Sequence, residues 1–454
     1  MPGFHWSPEL IAKYNINGPR YTSYPTALAL QAPFSEQQVQ EALEGSDDPL
    51  SLYVHIPFCH ELCYYCGCNK IVTRHQHKAD TYLDALQQEM RFYKTRLGKR
   101  QCRNLHLGGG TPTFLTLQQL TRLMEMLAEE LAFDAHKAEE VSIEIDPRSC
   151  SREKLRHLRK LGFNRVSFGV QDFNEQVQIA INRVQSEVLV GNLIEEARSL
   201  GFSSINLDLV YGLPLQNTDN FSYSLDKVIQ LNPDRISLFS YAHLPQRFAA
   251  QRKIKDASLP SAQDKQALHL QGIETLVAAG YQFIGMDHFA KADDSLAQAQ
   301  RQGQLQRNFQ GYTTHGQDAL LGLGVSSISQ VNGVIWQHEK DLKDYYRRIE
   351  NGQLPVNKGI HLTPDDKIRA DLIAQLICHF ELNKSDFAAK WSIHFDFYFA
   401  SSLEKMKPYI ADGLVQLSHD SIQVTNHGRL WIRIICSAFD AYLENQQQQY
   451  SKVI

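Results

Sequence analysis

The stretch Leu52-Tyr-Val-His-Ile-Pro-Phe-Cys59-His-Glu-Leu-Cys63-Tyr-Tyr-Cys66-Gly-Cys68 decides the fold. An apolar, partly β-branched run leads into a proline, and cysteines crowd the residues that follow. Such a run predicts a buried strand that ends at the proline. A strand that opens into a loop of reactive side chains is typical of the carboxyl edge of a parallel sheet, where active sites lie.

The same order of strand, loaded loop and amphipathic helix recurs downstream. Strands are predicted at 50–56, 104–107, 140–145, 165–170, 204–210 and 235–241, with helices at 79–96, 117–131, 152–161, 187–200 and 220–231 between them. Right-handed crossovers would make these strands parallel. We therefore expect an α/β fold, a partial (β/α)6 barrel of the TIM type, with an open doubly wound sheet as the alternative.

Three regions are predicted along the 454 residues. An N-terminal segment, 1–48, is expected to cover the active site, and 49–355 to form the catalytic barrel with an accessory region. Within the latter, 285–329 is rich in glycine, glutamine and aromatic residues and is expected to cover the open barrel side. The C-terminal part, 356–454, is predicted to be mainly helical and winged-helix-like and to carry no chemistry.

Composition limits the partners. The formal charge of -4 gives no basic field for nucleic acid, and 43% hydrophobic residues are enough for a sizeable core. The N-terminus lacks the features of a signal peptide, and no apolar run reaches the length of a membrane span. We expect a cytoplasmic protein that does not insert into membranes.

Cys59, Cys63 and Cys66 carry the strongest chemical signal. Three thiolates at this spacing can hold one cuboidal iron–sulfur cluster and leave one iron without a protein ligand. A structural zinc site or inert buried thiols are the alternatives, but the usual second pair of zinc ligands is not evident. Cys68 is a further candidate ligand or reserve thiol. The remaining cysteines are scattered, so a disulfide framework is not expected.

The loops after the second and third strands also look functional. In Gly108-Gly-Gly-Thr-Pro-Thr113, missing side chains let the backbone approach a ligand and present its amides to a carboxylate, although a tight turn explains it equally well. Glu144 ends the third strand between isoleucines, where a buried carboxylate needs donors such as ribose hydroxyls.

Gln171, Arg183 and Asp208 fall after, between or within strand ends. That position favours a role in ligand binding, and ion pairs inside the barrel are the alternative. His55 points from the first strand towards the same edge. It is a candidate to assist a proton step or to orient a ligand, or else it is a core histidine with satisfied hydrogen bonds.

The CxxxCxxC spacing, with an aromatic residue before the third cysteine, resembles the signature of the radical S-adenosylmethionine (SAM) superfamily. The chain also resembles the oxygen-independent coproporphyrinogen III oxidase family over essentially its whole length. The matching stretches are Gly18-Pro-Arg-Tyr-Thr-Ser-Tyr-Pro-Thr26, Leu52 to Cys59, Cys66-Gly-Cys-Asn-Lys70, 208–214, 232–235, 241–245, 285–290 and 307–314.

The resemblance implies cofactors and the residues that bind them. Cys59, Cys63 and Cys66 would bind a 4Fe-4S cluster whose open iron chelates SAM, giving a 5'-deoxyadenosyl radical on reduction. Two SAM molecules per site are implied. The first would lie among Tyr53, Gly109, Glu144 and Ile328, and the second among Tyr65, Gly110, Thr111, Gln171, Arg183, Asp208 and Ala242. Relatives can have phenylalanine where Tyr65 stands, so its hydroxyl needs a partner or water.

The resemblance also implies the reaction. Two propionates of coproporphyrinogen III would lose carbon dioxide and become vinyl groups, giving protoporphyrinogen IX. An external one-electron reductant and an unknown electron acceptor would be needed, and a monomer is expected. Because the substrate carries four carboxylates, Arg20 and Tyr21 are candidates for substrate contact, with a structural role as the alternative.

Three other functions compete. A haem-binding chaperone of the same superfamily would share the cysteine motif, but such proteins usually lack the Cys-Gly-Cys ending and the 18–26 segment. A radical SAM enzyme that methylates or opens haem would differ only at the substrate. An enzyme that modifies nucleic acid is disfavoured by the acidic balance and the absence of a basic, aromatic stripe.

Overall fold

The computed structural model describes residues 7–98, 100–443 and 450. Its strands are β1 (Leu50–Ile56), β2 (Phe58–Cys59), β3 (Ile71–Val72), β4 (Cys102–Gly109), β5 (Glu140–Ile145), β6 (Arg165–Gln171), β7 (Ser204–Tyr211), β8 (Arg235–Ser240), β9 (Gln282–Gly285), β10 (His288–Ala290), β11 (Gln306–Asn308), β12 (Gly311–Thr313), β13 (Ala319–Leu323), β14 (Ile328–Val331), β15 (Val334–His338), β16 (Val356–His361), β17 (Glu381–Asn383), β18 (Val415–Leu417) and β19 (Ser421–Val424). Its helices are α1 (Pro8–Tyr14), α2 (Glu36–Glu44), α3 (His77–Lys94), α4 (Leu117–Leu131), α5 (Arg152–Lys160), α6 (Glu175–Ala180), α7 (Glu187–Ser199), α8 (Thr218–Leu231), α9 (Ala262–Ala278), α10 (Ser295–Arg301), α11 (Leu342–Glu350), α12 (Pro364–His379), α13 (Lys384–Trp391), α14 (Phe395–Tyr398), α15 (Ala400–Ala411) and α16 (Ile432–Ser437).

Twelve strands form one sheet in the order β16-β15-β14-β13-β1-β4-β5-β6-β7-β8-β10-β9. The central strands from β13 to β8 pair in parallel, and β1 lies between β13 and β4. The strand β1 is almost entirely buried, which explains why most of its residues are apolar. The predicted parallel α/β architecture is confirmed, and the six predicted strands correspond to β1 and β4 to β8.

A seventh parallel strand was not predicted. Strand β13 lies in the region 285–329, which was expected only to cover the open side of the barrel. It pairs with β1 along Leu50 to Val54. The region 285–329 therefore contributes a strand to the central sheet and also forms the short hairpin of β11 and β12. The short apolar run Ala319-Leu-Leu-Gly-Leu323 gives no periodic signal that separates strand from loop.

The predicted boundary at residue 355 is corrected by the sheet. Strand β16 pairs with β15 as the edge of the twelve-stranded sheet, so the barrel region runs to His361. Beyond it, helices α12 to α16 surround a small sheet of β17, β19 and β18. Strands β18 and β19 form an antiparallel hairpin within this sheet.

The N-terminal segment packs against this C-terminal part. The side chain of Arg433, in α16, donates hydrogen bonds to the carbonyls of Gly18 and Pro19. The hydroxyl of Tyr24 accepts a hydrogen bond from the N–H of Ala441 at 3.0 Å. These hydrogen bonds join the N-terminal segment to the C-terminal part. Within the described ranges, no helix has the length and apolarity that a membrane crossing requires.

Candidate active site

The cysteine loop lies at the carboxyl edge of the parallel strands. Cys59, Cys63 and Cys66 line an open cavity of about 680 Å³, which we call the cluster cavity. In the described part of the chain, no three His, Cys, Asp or Glu side chains converge on a point that would hold a single metal ion. In a cuboidal cluster each cysteine binds a different iron, and three thiols that line one cavity are compatible with such a cluster.

Two guanidinium groups face the middle cysteine. Arg148 lies 3.4 Å and Arg183 3.5 Å from the sulfur of Cys63. Both arginines also contact Asp146, at 2.8 and 2.9 Å, so a buried carboxylate fixes their position. Positive groups beside a thiolate stabilise the negative charge that cluster ligation requires.

The other two sulfurs also accept hydrogen bonds. The hydroxyl of Thr111 donates to Cys59, and the N–H of Cys68 donates to Cys66, each at 3.4 Å. The hydrogen bond from the Cys68 side chain lowers the pKa of the Cys66 thiol to about 6. Each of the three cysteines thus has a donor of its own, an arrangement that fits a thiolate-ligated cluster.

The glycine loop is both a tight turn and a cavity wall. At Gly109, where φ is 114°, an added Cβ would lie 2.6 Å from the ring of His55. At Gly110 an added Cβ would lie 2.8 Å from the backbone of Pro57. Only glycine fits at these two positions, and both residues line the cluster cavity.

Glu144 accepts hydrogen bonds from two directions. The N–H of Gly109 donates to one carboxylate oxygen at 3.2 Å, and His106 lies 3.4 Å from the other. Burial would raise the pKa of Glu144, but the hydrogen bonds from His106 and Gly109 hold it below the ordinary value. The ionised carboxylate keeps free lone pairs towards the cavity, where ligand hydroxyls can donate.

The environment of His55 fixes its tautomer. The carbonyl of Asn69 can only accept, so Nε2, at 3.0 Å from it, carries the proton. Nδ1 then accepts from the hydroxyl of Tyr53 at 3.1 Å. Burial lowers the pKa of His55, so the ring stays neutral. With both nitrogens engaged, His55 holds Tyr53 and the cysteine loop in place.

A second cavity, of about 340 Å³, adjoins the first, and we call it the side cavity. Every residue proposed for the first SAM molecule lines it, namely Tyr53, Gly109, Glu144 and Ile328. Every residue proposed for the second lines the cluster cavity, namely Tyr65, Gly110, Thr111, Gln171, Arg183, Asp208 and Ala242. Gly109 and Glu144 line both cavities.

The three polar residues at the strand ends have different surroundings. Arg183 forms the ion pair with Asp146, so the structural alternative holds for it alongside its place in the cavity wall. Asp208 pairs with no cation among the described residues and instead accepts from Ser167 and Asn206, each at 2.8 Å. Burial raises the pKa of Asp208 to about 6, although the Ser167 hydroxyl opposes the rise.

Gln171 has a φ of 69°, in the left-handed region that a residue with a side chain rarely adopts. Strain of this kind at a strand end is a feature of ligand sites.

The two N-terminal candidates separate in the structure. Arg20 lines the cluster cavity and reaches the carbonyl of Ser240 at 3.4 Å. Tyr21 is buried and donates to the carboxylate of Asp440 at 3.0 Å, and it is not among the described residues that line the cavity. Tyr21 therefore has the contacts expected of the structural alternative, an anchor between the N-terminal segment and the C-terminal part.

Sequence reasoning missed three contributors. Arg148 and Asp146 hold Cys63, and the motif Asp-Pro-Arg directly after the third strand was the available signal. Gln251 donates to the carbonyls of Tyr65 at 2.9 Å and Ala242 at 3.1 Å, and so links two walls of the cluster cavity. No local pattern marks Gln251, because its partners are distant in sequence.

A buried carboxyl group supports the site from behind. Glu89, in α3, accepts two hydrogen bonds from the N–H of Gly324 and one from the hydroxyl of Tyr345 at 2.6 Å. The neighbouring hydroxyl of Tyr82 donates to the carbonyl of His55 at 2.7 Å. These contacts tie α3 to β1 and to the loop that precedes Ile328.

Comparisons with known proteins agree with this site. A model of the radical SAM superfamily matches residues 53–228, and a model of the HemN C-terminal domain matches residues 362–431. The oxygen-independent coproporphyrinogen III oxidase of Salmonella typhimurium is 53% identical over 452 residues, which cover 99% of this chain and 98% of that protein. The protein of the same name from Pseudomonas aeruginosa is 47% identical over 454 residues, and the aligned region covers 99% of each of the two chains.

A solved structure is similar throughout. The coproporphyrinogen III oxidase of Escherichia coli, described as a radical SAM enzyme, has a TM-score of 0.92 at 52% identity and covers 97% of this chain and 100% of its own. The expectation of a partial TIM-type barrel with a helical C-terminal domain is confirmed by this similarity. The haem-chaperone alternative is not favoured, since these whole-chain relatives carry the oxidase name. The chain belongs to the oxygen-independent coproporphyrinogen III oxidase family of the radical SAM superfamily.

Proposed function

We propose that this chain converts coproporphyrinogen III to protoporphyrinogen IX by oxidative decarboxylation of two propionates, without oxygen as a reactant. The observation that carries the proposal is the lining of the cluster cavity, where three cysteines, a glycine loop and polar strand ends face one space. Family membership supplies the cofactor class, a 4Fe-4S cluster with SAM. When bound and reduced, this pair supplies a 5'-deoxyadenosyl radical, which abstracts hydrogen from carbon.

The chain's own residues position and insulate this chemistry. Cys59, Cys63 and Cys66 would hold the cluster, and Arg148 and Arg183 would stabilise its negative charge. The glycine loop would let SAM approach the cavity wall closely, since Gly109 and Gly110 carry no side chains and both line the cavity.

The ribose and the substrate would meet other residues. Glu144 would accept hydrogen bonds from ribose hydroxyls, because its carboxylate remains ionised and lines both cavities. Arg20, at the cavity wall, provides positive charge for a carboxylate of the substrate. His55 would orient Tyr53 and take no part in proton transfer, since both of its ring nitrogens are engaged.

We also propose that each active site binds two SAM molecules. The residues expected for each molecule line different cavities, and the cavities share Gly109 and Glu144. A monomer would suffice, because residues of one chain line both cavities. The one-electron reductant would be an external partner. A separate electron acceptor would take the electron that each substrate radical gives up as it loses carbon dioxide and becomes a vinyl group.

Anaerobic turnover tests the function. The protein is reconstituted with iron and sulfide and given SAM, dithionite and coproporphyrinogen III, and mass spectrometry follows 5'-deoxyadenosine and the stepwise loss of two carboxyl groups. Protoporphyrinogen IX in step with deoxyadenosine, and neither product with Cys63→Ala, supports the proposal. Cleavage of SAM without decarboxylation would overturn the proposed substrate.

Equilibrium dialysis with labelled SAM tests the number of bound molecules. Ile328→Phe narrows the side cavity and Ala242→Phe narrows the cluster cavity. The wild type should bind two SAM molecules, and each variant one. A wild type that saturates at one molecule contradicts the proposal of two.

A further inference from the structure

A smaller cavity adjoins the cluster cavity on the side of the C-terminal part. We call it the arginine pocket, and its lining includes Arg20, Tyr211, His269, Asp287, Arg429 and Arg433. Its volume is about 30 Å³, room for a group the size of a carboxylate or for two waters. Arg20 and Ser240 line both this pocket and the cluster cavity, so the two spaces share a wall.

The pocket carries an excess of positive charge. Among the described residues that line it, three are arginines and one, Asp287, is a carboxylate. Asp287 is itself paired with His269 at 3.2 Å. Nearby, Lys265 donates to the carbonyl of Tyr241 at 2.8 Å. Burial and then the charge of Arg20 lower the pKa of Lys265 to about 8. Like charges held close together away from water are unfavourable unless an anion neutralises them.

The pocket is held rigidly by contacts between distant parts of the chain. Arg433, which is 8% exposed, donates to the carbonyls of Gly18 and Pro19 and so fixes the backbone next to Arg20. Met286 and Asp287 both have positive φ angles, 44° and 71°, in the two-residue turn between β9 and β10. Positive φ at both residues is the usual geometry of a two-residue hairpin turn, and this turn places Asp287 in the wall of the pocket.

We propose that the arginine pocket binds the carboxylate of a propionate that the reaction leaves intact, with Arg20 and Arg433 as its binding residues. The inference rests on the proposed function, since two of the four propionates of that substrate survive in the product. A guanidinium pair stabilises a carboxylate and so opposes its loss as carbon dioxide. The pocket therefore suits a retained propionate better than a reacting one. The C-terminal part, which was expected to carry no chemistry, would thus contribute to substrate recognition.

The test compares an acid with its ester. Coproporphyrin III is the stable oxidised form of the substrate and has the same four propionates, and its tetramethyl ester has no free carboxylate. Binding of both to the reconstituted enzyme is measured by fluorescence titration for the wild type and for Arg433→Gln. The variant should bind the acid at least tenfold more weakly and the ester with unchanged affinity. Arg369→Gln, which removes an arginine of the C-terminal part that pairs with Asp365, is the matched control.

A second variant separates binding from folding. Ser240→Asp adds a carboxylate to the pocket, where it should pair with the arginines. It should raise the melting temperature and weaken binding of the acid, a combination that simple damage to the structure would not give. Equal losses for acid and ester in Arg433→Gln, or unchanged acid binding in Ser240→Asp, would overturn the inference. Turnover of coproporphyrinogen III by the wild type tests the proposed function separately. If turnover occurs but the binding titrations contradict the role of the arginine pocket, only the inference about the pocket is refuted.

Discussion

The buried carboxyl group of Glu89, behind the active site, should make the folding stability of the protein depend on pH. Burial raises the pKa of this carboxyl to about 8, against an ordinary value of 4.5, although Tyr345 and Gly324 donate to it. Its neighbour His338, at 3.5 Å, stays neutral because burial lowers the pKa of that ring to about 4. Between pH 4.5 and 8 the unfolded chain therefore loses a proton that the folded chain keeps. Folding stability falls as pH rises through this window, because the folded state binds more protons.

The size of the effect follows from the window. One pH unit corresponds to about 1.4 kcal/mol, and at pH 8 the folded group is already half deprotonated, so this group should remove about 2 kcal/mol of stability between roughly pH 6 and pH 8. Glu89→Gln keeps an oxygen to accept from Tyr345 and Gly324 and abolishes the titration. Relative to the wild type, the variant should therefore gain about 2 kcal/mol over that interval.

The assay is thermal unfolding of the wild type and Glu89→Gln at pH 6 and pH 8, followed by circular dichroism on matched preparations. Taking the difference between the two proteins at each pH cancels every other titrating group. Glu129→Gln, an exposed position on α4, is the control for removal of a carboxylate. A difference between wild type and Glu89→Gln that stays constant with pH, or that grows in favour of the wild type, would refute the reasoning.

Three further outcomes are expected. Cys63→Ala should abolish the visible absorbance of the reconstituted cluster, whereas Cys150→Ala, a buried thiol outside the cluster cavity, should retain it. Glu144→Gln should weaken SAM binding about tenfold in isothermal titration, since the neutral amide is a poorer acceptor for ribose hydroxyls and would donate against the N–H of Gly109. Tyr21→Phe should lower stability by about 1 to 3 kcal/mol in denaturant unfolding, because it removes the buried hydroxyl that donates to Asp440, while the rate of SAM cleavage stays the same.

Much of the barrel could be predicted because its strands are buried on both faces. The segments that became β1 and β5 were predicted with their observed ends, since each is rich in apolar and β-branched residues and is followed by a polar or proline-containing turn. Strand β13 could not be predicted in the same way. It is short and contains Gly322, and it becomes a strand through its pairing with β1, some 270 residues earlier in the chain.

The site could be predicted where function is written in local motifs. Cys59, Cys63 and Cys66 and the glycine loop are adjacent in sequence, and the structure brings them to one cavity. Arg148 could not be assigned to the cysteines from the sequence, because 85 residues separate it from Cys63. Contacts of this length depend on how the strands are ordered in the sheet, and no local pattern encodes that order.

The contact between Arg433 and Gly18 also has a consequence for the order of biosynthesis. The two residues are 415 positions apart, so α16 leaves the ribosome long after Gly18. Cys59 to Cys66 emerge hundreds of residues earlier, and domains generally fold as they are made, from the N-terminus. The growing chain therefore exposes its cluster ligands before α16 can fasten the N-terminal segment over the barrel. The contact that holds the N-terminal segment in place can therefore form only after α16 has been synthesised.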